Sequence, residues 1–370
     1  MLNIRSLSVQ SKLIVAFLAL TLTAIGVISW IGYSSARQSL RAAAERELVG
    51  LQRSKSALVK NILKSARNEA LSLSASDAVA NAARQLLPAY RQLARETVTP
   101  EMQAEVTRFY RDEFKPALMK RAAIEPPADS LLPTTPTGWY LHYHYVATGP
   151  KPYGERRINR SATDKSPYGA LAAQLSTELQ GVVNLLDQGN LTLVDPETGD
   201  VFFSLEQSSV LGTNLIDGPY ATSKMSRLVL SLRNSQNEND YKVADFEAYY
   251  PALGDPKAFV ATPVFDGPRM IAVMVLKLPI EPISNALSGD RQWEAEGLGK
   301  TGEVYLVGPD LTMRNDSRFL SRTGRRSSRH CDIRASRRAP SIPSRSWARR
   351  SWSSLWTTTP RRRRFGANPA

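Results

Sequence analysis

Hydrophobic positions change period several times along the chain, and each change predicts an element. Leu13 to Tyr33 runs for 21 residues without a charge. At about 1.5 Å per residue that is roughly 30 Å of helix, the thickness of a bilayer's hydrocarbon core. Ser34 to about Leu87 has no proline and a single glycine, Gly50. Leu40, Ala44, Leu48, Leu51, Leu58 and Ile62 recur three, four or seven apart, giving one helical stripe that Lys55 interrupts. That helix either packs on its own domain or forms a stalk that pairs with a second subunit. Pro88 predicts a bend, with a second helix to about Thr97. Thr99-Pro100-Glu101 reads as a capped start for a third.

Glu125 to Gly138 holds four prolines and predicts a loop. Trp139 to Tyr145 follows as a strand, which would place His142 and His144 on one face. A helix is expected from Pro167 to about Asp187. The period then falls to two. Leu191 and Leu193, then Val201, Phe203 and Leu205, read as half-buried strands around the turn Asp195 to Asp200. Asp217-Gly218-Pro219-Tyr220 opens a helix through about Arg233, and a polar loop spans Asn234 to Asp240. Strands are expected at Lys242–Ala248, Ala258–Phe265 and Arg269–Leu278, the last two joined at Asp266-Gly267. Met270 to Leu278 is apolar on both faces except at Lys277, as in a central, doubly covered strand. A further strand at Glu303–Val307, a turn at Gly308-Pro309-Asp310 and the start of a partner at Leu311–Arg314 begin a second unit. The expected fold class is α+β: one transmembrane helix, a stalk helix, and a five-stranded antiparallel sheet of PAS-like shape.

Composition changes this picture at one place. Ser321 to Ala370 contains fourteen arginines and one acid, Asp332, so this tail carries +13 of the chain's net +14. Residues 1–320 are almost neutral, and the basic charge of the whole chain says little about nucleic acid. The tail also holds the single cysteine, Cys331, which excludes a disulfide or thiolate framework from residues 1–320. No third metal-ligating residue stands near His142 and His144, so no metal and no cofactor is expected. Trp30 and Tyr33 end the apolar span where aromatic rings favour the interface. The span is too long for a signal peptide and Ser34-Ser35-Ala36 is a poor cleavage site, so an uncleaved anchor is expected. Arg5 and Lys12 before the span and Arg37, Arg41 and Arg46 after it leave its orientation undecided by charge.

Several segments carry a resemblance. Residues 9–33 look like the amino-terminal span of bacterial transmembrane adenylate/guanylate cyclases. Tyr140–Tyr145, Val194–Val201, Gly212–Leu215 with Gly218–Tyr220, Asp245–Pro251, Phe259–Gly267 and Leu278–Ile280 resemble the double-Cache sensor of those proteins. Gly299–Asp310, Met313-Arg314 and Ser317–Leu320 resemble the start of its membrane-proximal unit. The sensor is also similar to those of chemoreceptors, histidine kinases and phosphatases. The resemblance implies a cytoplasmic N-terminus (1–12), a span (13–33), a helical region (34–138), a membrane-distal Cache domain (139–290) and the start of a second Cache unit (291–320). It places the sensor in the periplasm, on a single-pass inner-membrane protein. A second span and an output domain would follow in that family. After Leu320 the chain departs from the pattern, and the tail (321–370) reads as disordered and as a frameshifted product.

The expected function is a membrane-anchored small-molecule sensor without catalysis of its own. The alternatives are the N-terminal part of a cyclase, or a tethered protein with a basic nucleic-acid- or lipid-binding tail. The ligand is unknown, a homodimer through the stalk is expected, and nucleic acid is not. Candidate pocket residues are Trp139, Tyr143, His144 and Tyr145 as aromatic walls, with Asp245, Tyr250 and Thr262 as polar contacts.

Overall fold

A computed structural model describes residues 9–122, 125–126, 129–149, 153, 163–185, 190–206, 208–278, 280–315, 317 and 318. The arginine-rich tail and Leu320 lie outside the described residues. The chain divides into two compact units, one up to Leu58 and one from Val59 onward.

Helix α1 is continuous from Val9 to Ser74. Its residues Leu13 to Gly50 are exposed throughout, including Phe17, Leu20, Ile28 and Trp30. Among the described residues it is the helix long and apolar enough to cross a membrane. The break expected at Pro88 falls earlier. Ser76 caps α2 (Asp77–Gln92), its hydroxyl oxygen accepting from the Val79 N–H while Asp77 suits the positive end of the helix dipole. Pro88 lies inside α2. A proline there removes one backbone hydrogen bond. The buried face of Val79, Ala82, Ala83, Leu86, Ala89 and Tyr90 outweighs that loss.

Thr99 caps α3 (Pro100–Phe109) as the sequence predicts, and a π-helical turn, Tyr110–Phe114, leads into α4 (Lys115–Ala122). The aromatic stretch is not a strand. Pro136–Leu141 forms helix α5, and His142–Ala147 continues it as a π-helical turn. The local reason is a start signal hidden in the proline-rich segment. Thr135 accepts from the Gly138 N–H, and Pro136 occupies the first turn with its φ already helical. Helix α6 spans Pro167–Leu185.

Five strands follow: β1 (Asn190–Val194), β2 (Val201–Ser204), β3 (Lys242–Ala248), β4 (Pro256–Asp266) and β5 (Arg269–Leu278). All pairings are antiparallel, in the order β2-β1-β5-β4-β3, so β5 is central as its apolar composition implies. In the β1–β2 turn the Asp195 N–H donates to the Asp200 carbonyl at 2.9 Å, and Gly199 adopts φ +82°. A Cβ on Gly199 would meet Ile216 Cγ1 at 2.7 Å, so both conformation and space require glycine. Strands β1 and β2 are buried on both faces, not half-buried as their alternation predicts, because helices cover each side of the sheet.

Side chains on β4 and β5 divide between two cores. Ala258, Val260, Val264, Ala272, Met274, Leu276 and Leu278 face a core shared with α2, α6 and the last turns of α1, including Val59, Ala66, Ala70 and Leu73. Phe259, Ala261, Val273 and Val275 face a second core with α3, the Tyr110–Phe114 turn, α4 and α7 (Lys224–Leu232). Helix α7 begins later than the expected Asp217, because Ser223 supplies the cap by accepting from the Ser226 N–H. Helix α8 (Glu281–Ser288) had no sequence forecast. The expected strand Glu303–Val307 forms no ladder among the described residues. A single bridge joins Val307 to Met313.

Candidate functional site

The second core contains a connected set of polar side chains. Tyr110, the first residue of the π-helical turn after α3, donates its hydroxyl to His142 Nδ1 at 3.1 Å. His142 Nε2–H donates to the Leu211 carbonyl at 2.9 Å. That carbonyl can only accept, which fixes the tautomer. The two rings stack, with centroids 5.8 Å apart and an interplanar angle of 30°. Nearby, the Tyr220 and Ser209 hydroxyls lie 2.7 Å apart. The Tyr153 hydroxyl donates to the Pro251 carbonyl at 2.8 Å and accepts from the Ser209 N–H at 3.0 Å. Phe109 and Phe114 pack edge-on against the Tyr153 ring. Tyr249 closes the set, its ring 5.0 Å from that of Phe259 and its hydroxyl directed at Met225 Sδ.

Burial sets the protonation of these groups. Desolvation lowers His142 to about 4, with the Leu211 hydrogen bond acting the other way. Desolvation likewise raises Tyr110, Tyr220 and Tyr249 well above the usual phenol range. At neutral pH the network is therefore uncharged. Both His142 nitrogens and the Tyr153 hydroxyl are engaged within the protein, and aromatic rings wall the network.

The seven sequence candidates do not converge on one point. Trp139, Tyr143 and Tyr250 pack, half-buried, against the core that holds this network. Tyr145 belongs to the opposite core, where it and Tyr140 each donate a 2.8 Å hydrogen bond to the buried Asp164 carboxylate. Desolvation first, and then the neighbouring Tyr168 and Asp164, raise the Tyr145 hydroxyl. His144 lies beside that cluster, its Nδ1 2.8 Å from the Thr163 hydroxyl and its ring 4.4 Å from that of Tyr140. Helical geometry explains the split. In a helix Trp139 and Tyr143 share one face while Tyr140 and Tyr145 lie on another, whereas a strand would have separated odd from even positions.

Thr262 is fully buried between Val260 and Val264, both on the helix-α2 side of the sheet, and its hydroxyl has no partner among the described residues. Asp245 pairs with Arg314 and does not face the network. Asp266, read as a turn former, also holds Arg84 through a two-bond ion pair. No cluster of three or more potential metal ligands occurs among the described residues.

Sequence reasoning missed Tyr110, Tyr153, Ser209 and Asp164. They come from separate loops and helix ends, and no periodicity marks them. Tyr220 stands in the sequence only as part of a helix start and of the resemblance, not as a site residue.

The chain matches no protein-family model and no curated protein. Among solved structures it is similar to the sensor domain of the V. cholerae histidine kinase DctB, at 18% identity and a TM-score of 0.24. The match covers 32% of this chain and 41% of that one, so the chain spans less than half the length of the domain it matches. Likeness at that level defines neither fold nor function.

Proposed function

We propose that the chain is a membrane-anchored sensor of a small polar molecule, with the unit from Val59 onward outside the cytoplasm. The observation that carries this reading is the dual character of α1. Its N-terminal part is an exposed apolar run of membrane-spanning length, and its last turns are buried in the core of a doubly covered sheet. One continuous helix thus supplies both features. The opposite face of the same sheet carries the uncharged tyrosine–histidine network, which suits a ligand held by hydrogen bonds and aromatic contact. A ligand would act by binding two positions of α1 unequally, since equal affinity shifts nothing. The stripe Leu40, Leu48 and Leu58 is exposed and would pair with a second copy of the chain.

The test is thermal unfolding of the full chain in detergent micelles against a library of small polar metabolites. The expected result is a saturable rise in Tm for one chemical class, lost on Tyr220→Phe or Tyr110→Phe. A hit that both variants bind unchanged would remove the network as the site. A library with no hit of any class would count against the sensor reading itself.

A further inference from the structure

Asp245 occupies an unusual backbone position. Strand β3 is an edge of the sheet, and its register with β4 shifts between Ala244 and Glu247. Such a bulge re-aims side chains. Here Phe246 turns into the core, while the Asp245 carboxylate meets the guanidinium of Arg314.

Arg314 is a buried cation, with its side chain 2% exposed. Its Nε donates to Asp245 Oδ1 at 3.1 Å, and one terminal nitrogen donates to Asp245 Oδ2 at 2.7 Å. The same nitrogen reaches Asp310 Oδ2 at 2.9 Å, and the other donates to the Thr312 hydroxyl. Gly308 lies flat against the guanidinium, where a Cβ would stand 2.0 Å from a terminal nitrogen. The fork of donors is thus matched on every side, and a side chain at position 308 would displace the guanidinium from this position.

Several backbone hydrogen bonds of this segment close within it, while Gly302 N–H reaches the Leu298 carbonyl and the Gly299 and Gly302 carbonyls accept from Arg318. Gly308 N–H donates to the Thr312 carbonyl at 2.9 Å, and Arg314 N–H to the Leu306 carbonyl at 2.7 Å. The Leu306 N–H donates to Asn315 Oδ1 at 2.7 Å. Among the described residues no backbone hydrogen bond joins it to β3. Among the described residues its contacts with the main sheet include the Arg314–Asp245 pair and the partial burial of Val304 and Leu306.

We propose that residues 299–315 are a strap that Arg314 latches onto the bulged edge strand β3, and that the strap undocks as a unit while the sheet stays folded. A buried ion pair sets position more than it adds stability, because water resolvates both partners on release. Undocking breaks no ladder bond of the five-stranded sheet. Removing the cation alone leaves Asp245 and Asp310 facing each other unpaired, which drives the strap off.

Hydrogen exchange read by mass spectrometry on the full chain in micelles tests this, comparing the wild type with Arg314→Met, Asp245→Asn and the double variant. In either single variant the amides of Leu306, Gly308 and Arg314 are expected to exchange at least about tenfold faster, and the double variant no faster than Arg314→Met. Amides of β4 and β5 keep their wild-type rates. Unchanged strap amides in both single variants would overturn the proposal. So would parallel acceleration of strap and sheet, or failure of both single variants to fold, because each makes strap and sheet one cooperative unit.

Discussion

His142 shows how surroundings fix what a residue can do. Its folded-state pKa of about 4 lies below the ordinary value of 6.5, because burial disfavours the imidazolium. The unfolded chain therefore binds the proton first as pH falls. Stability from this site is complete above about pH 6.5 and is lost on acidification through about pH 4. A shift of that size corresponds to on the order of 3 kcal/mol. Denaturant unfolding between pH 4.5 and 7 should show this acid limb, and His142→Gln should flatten it. Glu247 acts with the opposite sign. Burial raises its pKa, so protonation on acidification favours the folded state and offsets part of the His142 effect.

Thr262 differs from the network hydroxyls in having no described partner at full burial. An unpaired buried hydroxyl costs about 1–3 kcal/mol. Thr262→Val keeps the shape and should raise Tm. Tyr110→Phe should lower it, because His142 Nδ1 loses its donor. These residue-scale facts were hardly legible in the sequence. Trp139, Tyr143 and Tyr250 pack against the core that holds the network, but the hydrogen bonds that organise it join positions 32 and 69 residues apart. No local pattern encodes such pairings. Thr262 was chosen for its polarity, which on the helix-α2 face of the sheet is a liability rather than a contact.

Elements were more legible, for a physical reason. Strands β3 and β5 begin and end where the alternation and turn residues place them, because a one-residue slip would move a whole apolar set to the wrong face. Trp139 to Tyr145 misled because aromatic residues favour strands, and that preference was weighed above the Thr135-Pro136 start signal. At Pro88 the rule that proline ends helices gave way to the packing of α2's buried face. The true break depends on the Ser76 cap. Ser76→Ala should cost about 1 kcal/mol in denaturant unfolding, as loss of a cap hydroxyl does elsewhere. Unchanged stability would mean that α1 and α2 separate for another reason. Ion pairs from Arg84 to Asp266 and from Arg91 to Asp195 and Glu197 hold α2 against both hairpin turns at one end of the sheet.

The whole molecule depends on a contrast within one chain. Residues up to Leu58 contribute an exposed apolar helix, and residues from Val59 onward contribute two cores around a five-stranded sheet. Net charge obscured that contrast, since nearly all of the +14 belongs to residues 321–370. The proposed placement of the sheet-bearing unit outside the cytoplasm is the claim on which the sensor reading rests. Asn237, exposed in the polar loop before β3, gives direct access to it. With Cys331→Ser removing the native thiol, Asn237→Cys should react in intact cells with a maleimide that does not cross membranes. Labelling only after the inner membrane is permeabilised would place this unit in the cytoplasm and contradict the account.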